Sequence, residues 1–215
     1  KLRWAVVLLA FGTVAAVYDK IFPYQKELQA DPPVSAGEKA AVLETDFGVI
    51  GMAICFDANF PEVWQALERR GAEIVVWPSE YSGGTTVQAH ALVNHYYIVS
   101  ATQALHCLVY DITGREVLSE RSQAVNVSRF TLDLDRGIYH EDFNMSRLRR
   151  LLDDHPDDVE VEARLLQEKW FVLRARRRGV SARNLAREYG LEELRAYIAR
   201  NRRELEGARG KQAKA

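Results

Sequence analysis

Cysteine is scarce in this chain. Its two cysteines, Cys55 and Cys107, are too few for a disulfide-built scaffold, so a reducing setting, the cytoplasm, is expected and each thiol is either packed or reactive. No Cys/His cluster has metal-ligand spacing and no glycine loop is of the phosphate-binding type, so neither a metal nor an organic cofactor is expected. Charge of one sign is not in excess either: 29 Lys+Arg face 30 Asp+Glu, and a net charge of -1 recruits neither nucleic acid nor an acidic membrane. Long apolar runs are also missing. The opening stretch Lys1 to Val17 has the basic start and apolar body of a signal peptide, but it is too short and too interrupted to span a bilayer. It reads better as two β-runs, WAVVLLA and TVAAVYD, turning at Phe11-Gly12.

What is present is the texture of a soluble α/β protein: 215 residues, 47% apolar and 27% charged, enough to bury a sizeable core. Two β-runs hinge at Asp46-Phe47-Gly48, and the second, Val49 to Phe56, is apolar on both faces, as a covered central strand must be. Pro61 opens a helix whose stripe is Val63, Trp64 and Leu67, and Gly71 closes it before the buried strand Glu73 to Trp77. A helix over TTVQAHALVNHYY, a strand over YYIVSAT, a hairpin turning at Asp111 to Gly114 and a last alternating strand, SRFTLDLD, complete the body.

Near Ile138 to Asn144 the texture changes. The reading divides the chain into a body over 1–140 and a mostly helical extension over 141–215, in which LQEKWFVLRARRRG is taken as helix. From Arg164 onward there are 15 Lys/Arg and 6 Asp/Glu, and Ser181 to Leu191 has the N-cap and glycine stop of a helix-turn-helix. Glu192 and Glu193 would open its recognition helix with two carboxylates, which DNA repels, so docking on the body or on a second copy is expected in place of nucleic acid binding.

Cys55 carries the chemistry. It ends a buried strand just before a helix, and in open α/β sheets ligands bind beyond the carboxyl ends of the strands, where backbone N–H groups favour a thiolate and a developing oxyanion. A packed, inert cysteine is the alternative from context alone. Four motifs in order now matter: Tyr18-Asp19-Lys20-Ile21-Phe22-Pro23, Gly48 to Asp57, Phe60-Pro61-Glu62, and Gly71-Ala72-Glu73 through Pro78-Ser79. Together with Ala89 to Tyr97, they resemble the nitrilase superfamily of carbon-nitrogen hydrolases over about Trp4 to Asp135.

That resemblance implies part of a four-layer α-β-β-α sandwich with a helical C-terminal extension, and a Glu-Lys-Cys triad. It makes Cys55 the nucleophile and Lys20 the triad lysine. It also implies Glu27 as a substrate-positioning glutamate, the N–H of Phe56 as an oxyanion donor, and Glu80 as a pocket candidate. Asp57, Asn59 and Glu62 are expected to brace the elbow and cap the following helix, and His90, His95 and Tyr96 to pack the next helix or a dimer surface. The triad glutamate lies on an early strand in that superfamily, yet no acidic residue precedes Asp19, so an amino-terminally truncated piece of a longer enzyme is expected. Cys-Phe-Asp in place of Cys-Trp-Glu points to amides over nitriles as substrate, cleaved by a homo-oligomer. The competing readings are a catalytically inactive binding or scaffold protein and a DNA-associated regulator acting through the tail.

Overall fold

A computed structural model describes residues 5–10, 13–104, 106–122, 124 and 127–212. They form two compact units, 1–132 and 133–215.

Unit 1 begins with β1 (Ala5–Ala10) and β2 (Thr13–Asp19), which pair antiparallel as the hairpin expected, its turn lying outside the described residues. Period two along β2 buries Tyr18 and, one step past the strand, Lys20, while Val17 stays exposed. A short helix α1 (Gln25–Leu28) follows. Then comes one six-stranded sheet in the spatial order β3-β4-β5-β6-β7-β8, built from β3 (Ala41–Glu44), β4 (Val49–Met52), β5 (Ile74–Ser79), β6 (Tyr97–Thr102), β7 (His106–Tyr110) and β8 (Glu116–Arg121). β4, β5 and β6 run parallel through crossovers containing α2 (Pro61–Arg69) and α3 (Gly84–Asn94), and β3, β7 and β8 pair antiparallel.

The two helices cover one face of this sheet. Val63, Trp64 and Leu67 of α2 and Val87 and Ala91 of α3 pack with Val75 and Trp77 of β5 and Ile98 of β6 in a single core, each large apolar side chain contributing about 1.5–3 kcal/mol by leaving water. Gly51 makes the fit possible, because a Cβ there would meet Ala72, Leu67 and Val75 at 3.2–3.3 Å. On the opposite face Ile50, Ile74, Val76 and Val99 are only half-buried. The turn into β8 is fixed by Asp111, whose Oδ1 accepts from the Thr113 N–H and hydroxyl and from the Arg115 N–H.

Unit 2 has the helices expected of the extension and adds strands that were not expected. β9 (Gly137–His140), α4 (Met145–Asp154), β10 (Val159–Leu165), β11 (Trp170–Ala175), α5 (Ala182–Glu188) and α6 (Leu194–Gln212) form a three-stranded antiparallel sheet, ordered β10-β11-β9, with helices. The stretch taken as helix supplies the turn after β10 and all of β11. Its Lys, Arg and Glu favour helix, but Trp170 to Leu173 are all buried in a strand paired with β9 and β10, with Phe171 and Leu173 in the core of Leu148, Leu151 and Ala186, and burial outweighs propensity. SRFTLDLD, read as a strand, has no regular structure. The N-cap is as expected: Ser181 Oγ accepts from Asn184 N–H, and Gly190 stops α5 with a φ of 73°.

Glu192 and Glu193 are neutralised within unit 2 by Arg200 and Arg183. The Arg200 guanidinium, followed by His140, holds the Glu192 carboxyl below its ordinary value, so its stabilising contribution is fully present above the ordinary value and lost as pH falls through the lowered one. Arg200→Met is therefore expected to make acid unfolding of unit 2 begin at higher pH, an outcome that NMR signals of β11 check directly.

Candidate active site

β4 and β5 are parallel neighbours, so their carboxyl ends reach the same edge of the sheet. Beyond β4 the chain enters a 3-10 turn at Cys55–Asn59, with Cys55 in the left-handed region at a φ of 43°. A non-glycine residue held there stores strain, and its surroundings must hold it in place. Three groups do so. The Cys55 carbonyl accepts from the Trp77 indole at 3.2 Å and from the Tyr81 hydroxyl at 3.4 Å, both from β5 and its following loop. The Asp57 carboxylate accepts from the N–H of Ile54, the residue before the cysteine, at 2.9 Å. Burial pushes Tyr81 above its ordinary value, with Cys55 the next cause, so its hydroxyl keeps its proton for that bond.

Lys20 reaches the same region from β2. It is 2% exposed, and its ammonium bonds both oxygens of Glu27, at 2.7 and 3.0 Å. Glu27 lies on α1, seven residues on, where its carboxylate also accepts the Tyr24 N–H and closes the first turn. An ammonium has three N–H donors and Glu27 takes two. The lysine backbone is pinned by Gly37, whose N–H bonds the Lys20 carbonyl at 2.8 Å. A Cβ on Gly37 would stand 2.2 Å from the Asp19 carbonyl oxygen, so no larger residue fits without moving the strand end. Gly37→Ala is expected to cost about 1–3 kcal/mol of stability and to lower turnover by displacing Lys20, readable by thermal melting beside an activity assay.

The lysine strand and the cysteine turn are joined by Asp57, which is fully buried. Besides Ile54, its carboxylate accepts from the Tyr18 hydroxyl at 2.7 Å and from the Phe22 N–H at 2.9 Å. Residues on both sides of Lys20 are thereby tied to the residues around Cys55.

The carbon-nitrogen hydrolase family model matches residues 1–137. The chain belongs to the carbon-nitrogen hydrolases of the nitrilase superfamily. The helix layer α2/α3 and the six-stranded sheet are accordingly one α and one β layer of its four-layer sandwich. Among known carbon-nitrogen hydrolases it is similar to the deaminated glutathione amidase of Bos taurus, 30% identical over 112 residues covering 46% of this chain and 34% of that one. It is also similar to an omega-amidase of Saccharomyces cerevisiae, 24% identical over 134 residues covering 54% of this chain and 46% of that one. A crystal structure of an amidase from Nesterenkonia sp. aligns with a TM-score of 0.46 and 25% identity over 50% of this chain and 46% of that one. The chain thus spans about a third to a half of the length of the curated relatives it matches.

Within this carbon-nitrogen hydrolase the residues named from sequence divide by place. Lys20 and Glu27 form one buried-edge ion pair, and Cys55 and Phe56 open the turn that Asp57 ties to it. The first N–H groups of such a turn have no partner within it, which leaves the Phe56 N–H available as a donor. Glu80 is exposed at the end of β5 and makes no hydrogen bond or ion pair among the described residues. Asp57 and Asn59 do not cap α2: that helix has no side-chain cap, Asp57 reaches back to Ile54 and across to β2, and the Asn59 amide donates to the Phe56 carbonyl. His90 donates to the Ala58 carbonyl at 2.8 Å and stacks on Trp64, and burial lowers its pKa so that it stays neutral. Tyr96 bonds the Trp64 carbonyl, and His95 ends α3 in the left-handed region. The residues missed were Trp77 and Tyr81, whose bonds to the Cys55 carbonyl have no local sequence signal, and Tyr18, whose two-residue spacing from Lys20 does mark a shared strand face.

Among the described residues no group of three or more His, Cys, Asp or Glu side chains is placed to hold a metal ion, and no helix is long and apolar enough to cross a membrane.

Proposed function

We propose that this protein hydrolyses the carbon-nitrogen bond of a small primary amide, releasing ammonia through a thioester on Cys55. The observation that carries the reading is the placement of Cys55 in a strained turn at the carboxyl edge of a parallel sheet, tied through Asp57 to the strand that bears Lys20. An amide carbon is a weak electrophile, and a thiolate splits one hard hydrolysis into two easier acyl transfers. The sulfur attacks the carbonyl carbon, and the oxygen that becomes negative is met by the third Lys20 N–H and by the N–H of Phe56. The proton given up by the Cys55 thiol ends on the departing nitrogen, which leaves as ammonia, and water then cleaves the thioester to the free acid and restores the thiol. Glu27 holds Lys20 in this geometry and presents its carboxylate edge to the amide nitrogen. The names of the amidase relatives support amide over nitrile, as does Cys55-Phe56-Asp57. The relatives' names support a small-molecule amide as substrate, and we further propose that the protein acts as a homo-oligomer in the cytoplasm.

Incubation of the purified protein with a panel of primary amides tests this. Ammonia and carboxylic acid in equal amounts are expected, with turnover ending as iodoacetamide modifies Cys55; unchanged turnover after complete modification of Cys55 refutes the assignment. Ammonia from no amide, with Cys55 still reactive, would instead indicate a homologue that binds without turning over.

A further inference from the structure

We infer that Asp57 is a positioning residue of the reaction, its carboxylate setting the place of Lys20 relative to Cys55 through Tyr18, Phe22 and Ile54. This rests on Cys55 being the nucleophile and adds to that reading a residue that touches neither substrate nor the reacting atoms.

A carboxylate with no solvent exposure is expensive to bury, and for stability alone an apolar residue of similar volume serves as well or better. What Asp57 gains for that cost is three short bonds of specific direction. Oδ2 takes the Tyr18 hydroxyl at 2.7 Å and the Ile54 N–H at 2.9 Å, and Oδ1 takes the Phe22 N–H at 2.9 Å. Two of these donors flank Lys20 at two residues on either side, and the third immediately precedes Cys55. The Tyr18 hydroxyl also accepts the Ile21 N–H at 3.3 Å, so residues 18, 21 and 22 around the lysine all enter one network. On its other side the Asp57 carbonyl accepts the Trp64 indole at 3.0 Å, anchoring the turn to α2.

The network is suited to hold. Burial, and then the charge of Asp57, push Tyr18 far above its ordinary value, so it is a proton donor at every working pH. Burial also pushes Asp57 up, which the three donors and the nearby Lys20 charge oppose. A rigid tie of this kind matters because an oxyanion donor displaced by a fraction of an ångström loses much of its effect.

Tyr18→Phe tests the inference, since it removes one hydroxyl and leaves the carboxylate with two donors. Two readouts are taken on the full protein: kcat and KM for an amide, and the rate of iodoacetamide modification of Cys55 relative to Cys107 by peptide mass spectrometry at one neutral pH. The expected result is a fall of about tenfold in kcat and in the Cys55/Cys107 ratio, with KM within twofold. If Tyr18→Phe lowers the melting temperature but leaves both kcat and the ratio within twofold, Asp57 is only structural and the inference is overturned. If Cys55 of the unmodified protein reacts no faster than Cys107, the nucleophile reading itself fails. Should Tyr18→Phe not fold, Asp57→Asn, which keeps the shape and one acceptor oxygen, is expected to give the same split between kcat and KM, and an unchanged kcat in it overturns the inference equally.

Discussion

Cys55→Ala is expected to reduce ammonia release by at least about 10⁴-fold while the protein stays folded. Loss of a nucleophile removes the covalent route entirely, and what survives in enzymes of this kind is the modest catalysis of the remaining oxyanion donors and binding contacts. The effect on stability should be small. Cys55 is part-exposed, and its contribution to the turn is made by its backbone carbonyl, which alanine retains for Trp77 and Tyr81. The left-handed φ of 43° is as costly for alanine as for cysteine, so the strain of the turn is unchanged by the substitution. Cys107→Ala, by contrast, leaves turnover intact. Steady-state ammonia release and thermal melting of the two variants check both halves of this expectation.

Glu27→Gln should have the second largest effect, on stability as well as on rate. Lys20 is buried and Glu27 is the carboxylate that balances it, with 23% of the Glu27 side chain exposed. Removing one partner of a buried pair leaves an uncompensated charge, and the loss is about 3 kcal/mol, which lowers the melting temperature of a chain this size by about 6–12 °C. Lys20→Met alone leaves Glu27 able to turn toward solvent and costs less. The informative variant is the double one, Lys20→Met with Glu27→Gln, in which no charge is stranded. Its melting temperature is expected to recover most of the loss seen in Glu27→Gln, while its turnover stays as low as that of Lys20→Met. Recovery of stability without recovery of activity separates the structural part of the pair from its part in catalysis. Recovery of both would remove Lys20 from the mechanism.

Much of unit 1 was legible because its local signals agree with one another. Gly48, Pro61, Gly71 and Gly114 sit where the chain turns, and the apolar positions between them have the period of the element they form. The position of Cys55 beyond the carboxyl end of β4 followed from the same pattern, since a buried run that stops before a helix puts its last residues at that edge of the sheet. The side-chain network was less legible. Nothing local says that Asp57 bonds Tyr18, 39 residues earlier, or that Trp77 bonds the Cys55 carbonyl, because both depend on which strands become neighbours. A polar residue beside a helix start is read as a cap, and here the competing long-range donors won. Unit 2 misled for a different reason. Glu168, Lys169 and the arginines from Arg174 to Arg178 surround the short apolar run of β11, so composition spoke for helix, while the pairing that buries Trp170 to Leu173 is tertiary.

The central claim is that Cys55 is acylated during amide hydrolysis. Rapid acid quench of the protein isolated from its native source, turning over a primary amide, followed by peptide mass spectrometry, tests it most directly. The account predicts that the peptide containing Cys55 gains the mass of the acyl group, that the peptide containing Cys107 does not, and that the adduct disappears when the amide is exhausted. Steady ammonia release with an unmodified Cys55 peptide at every quench time, in a protein whose activity survives Cys55→Ala, would contradict it.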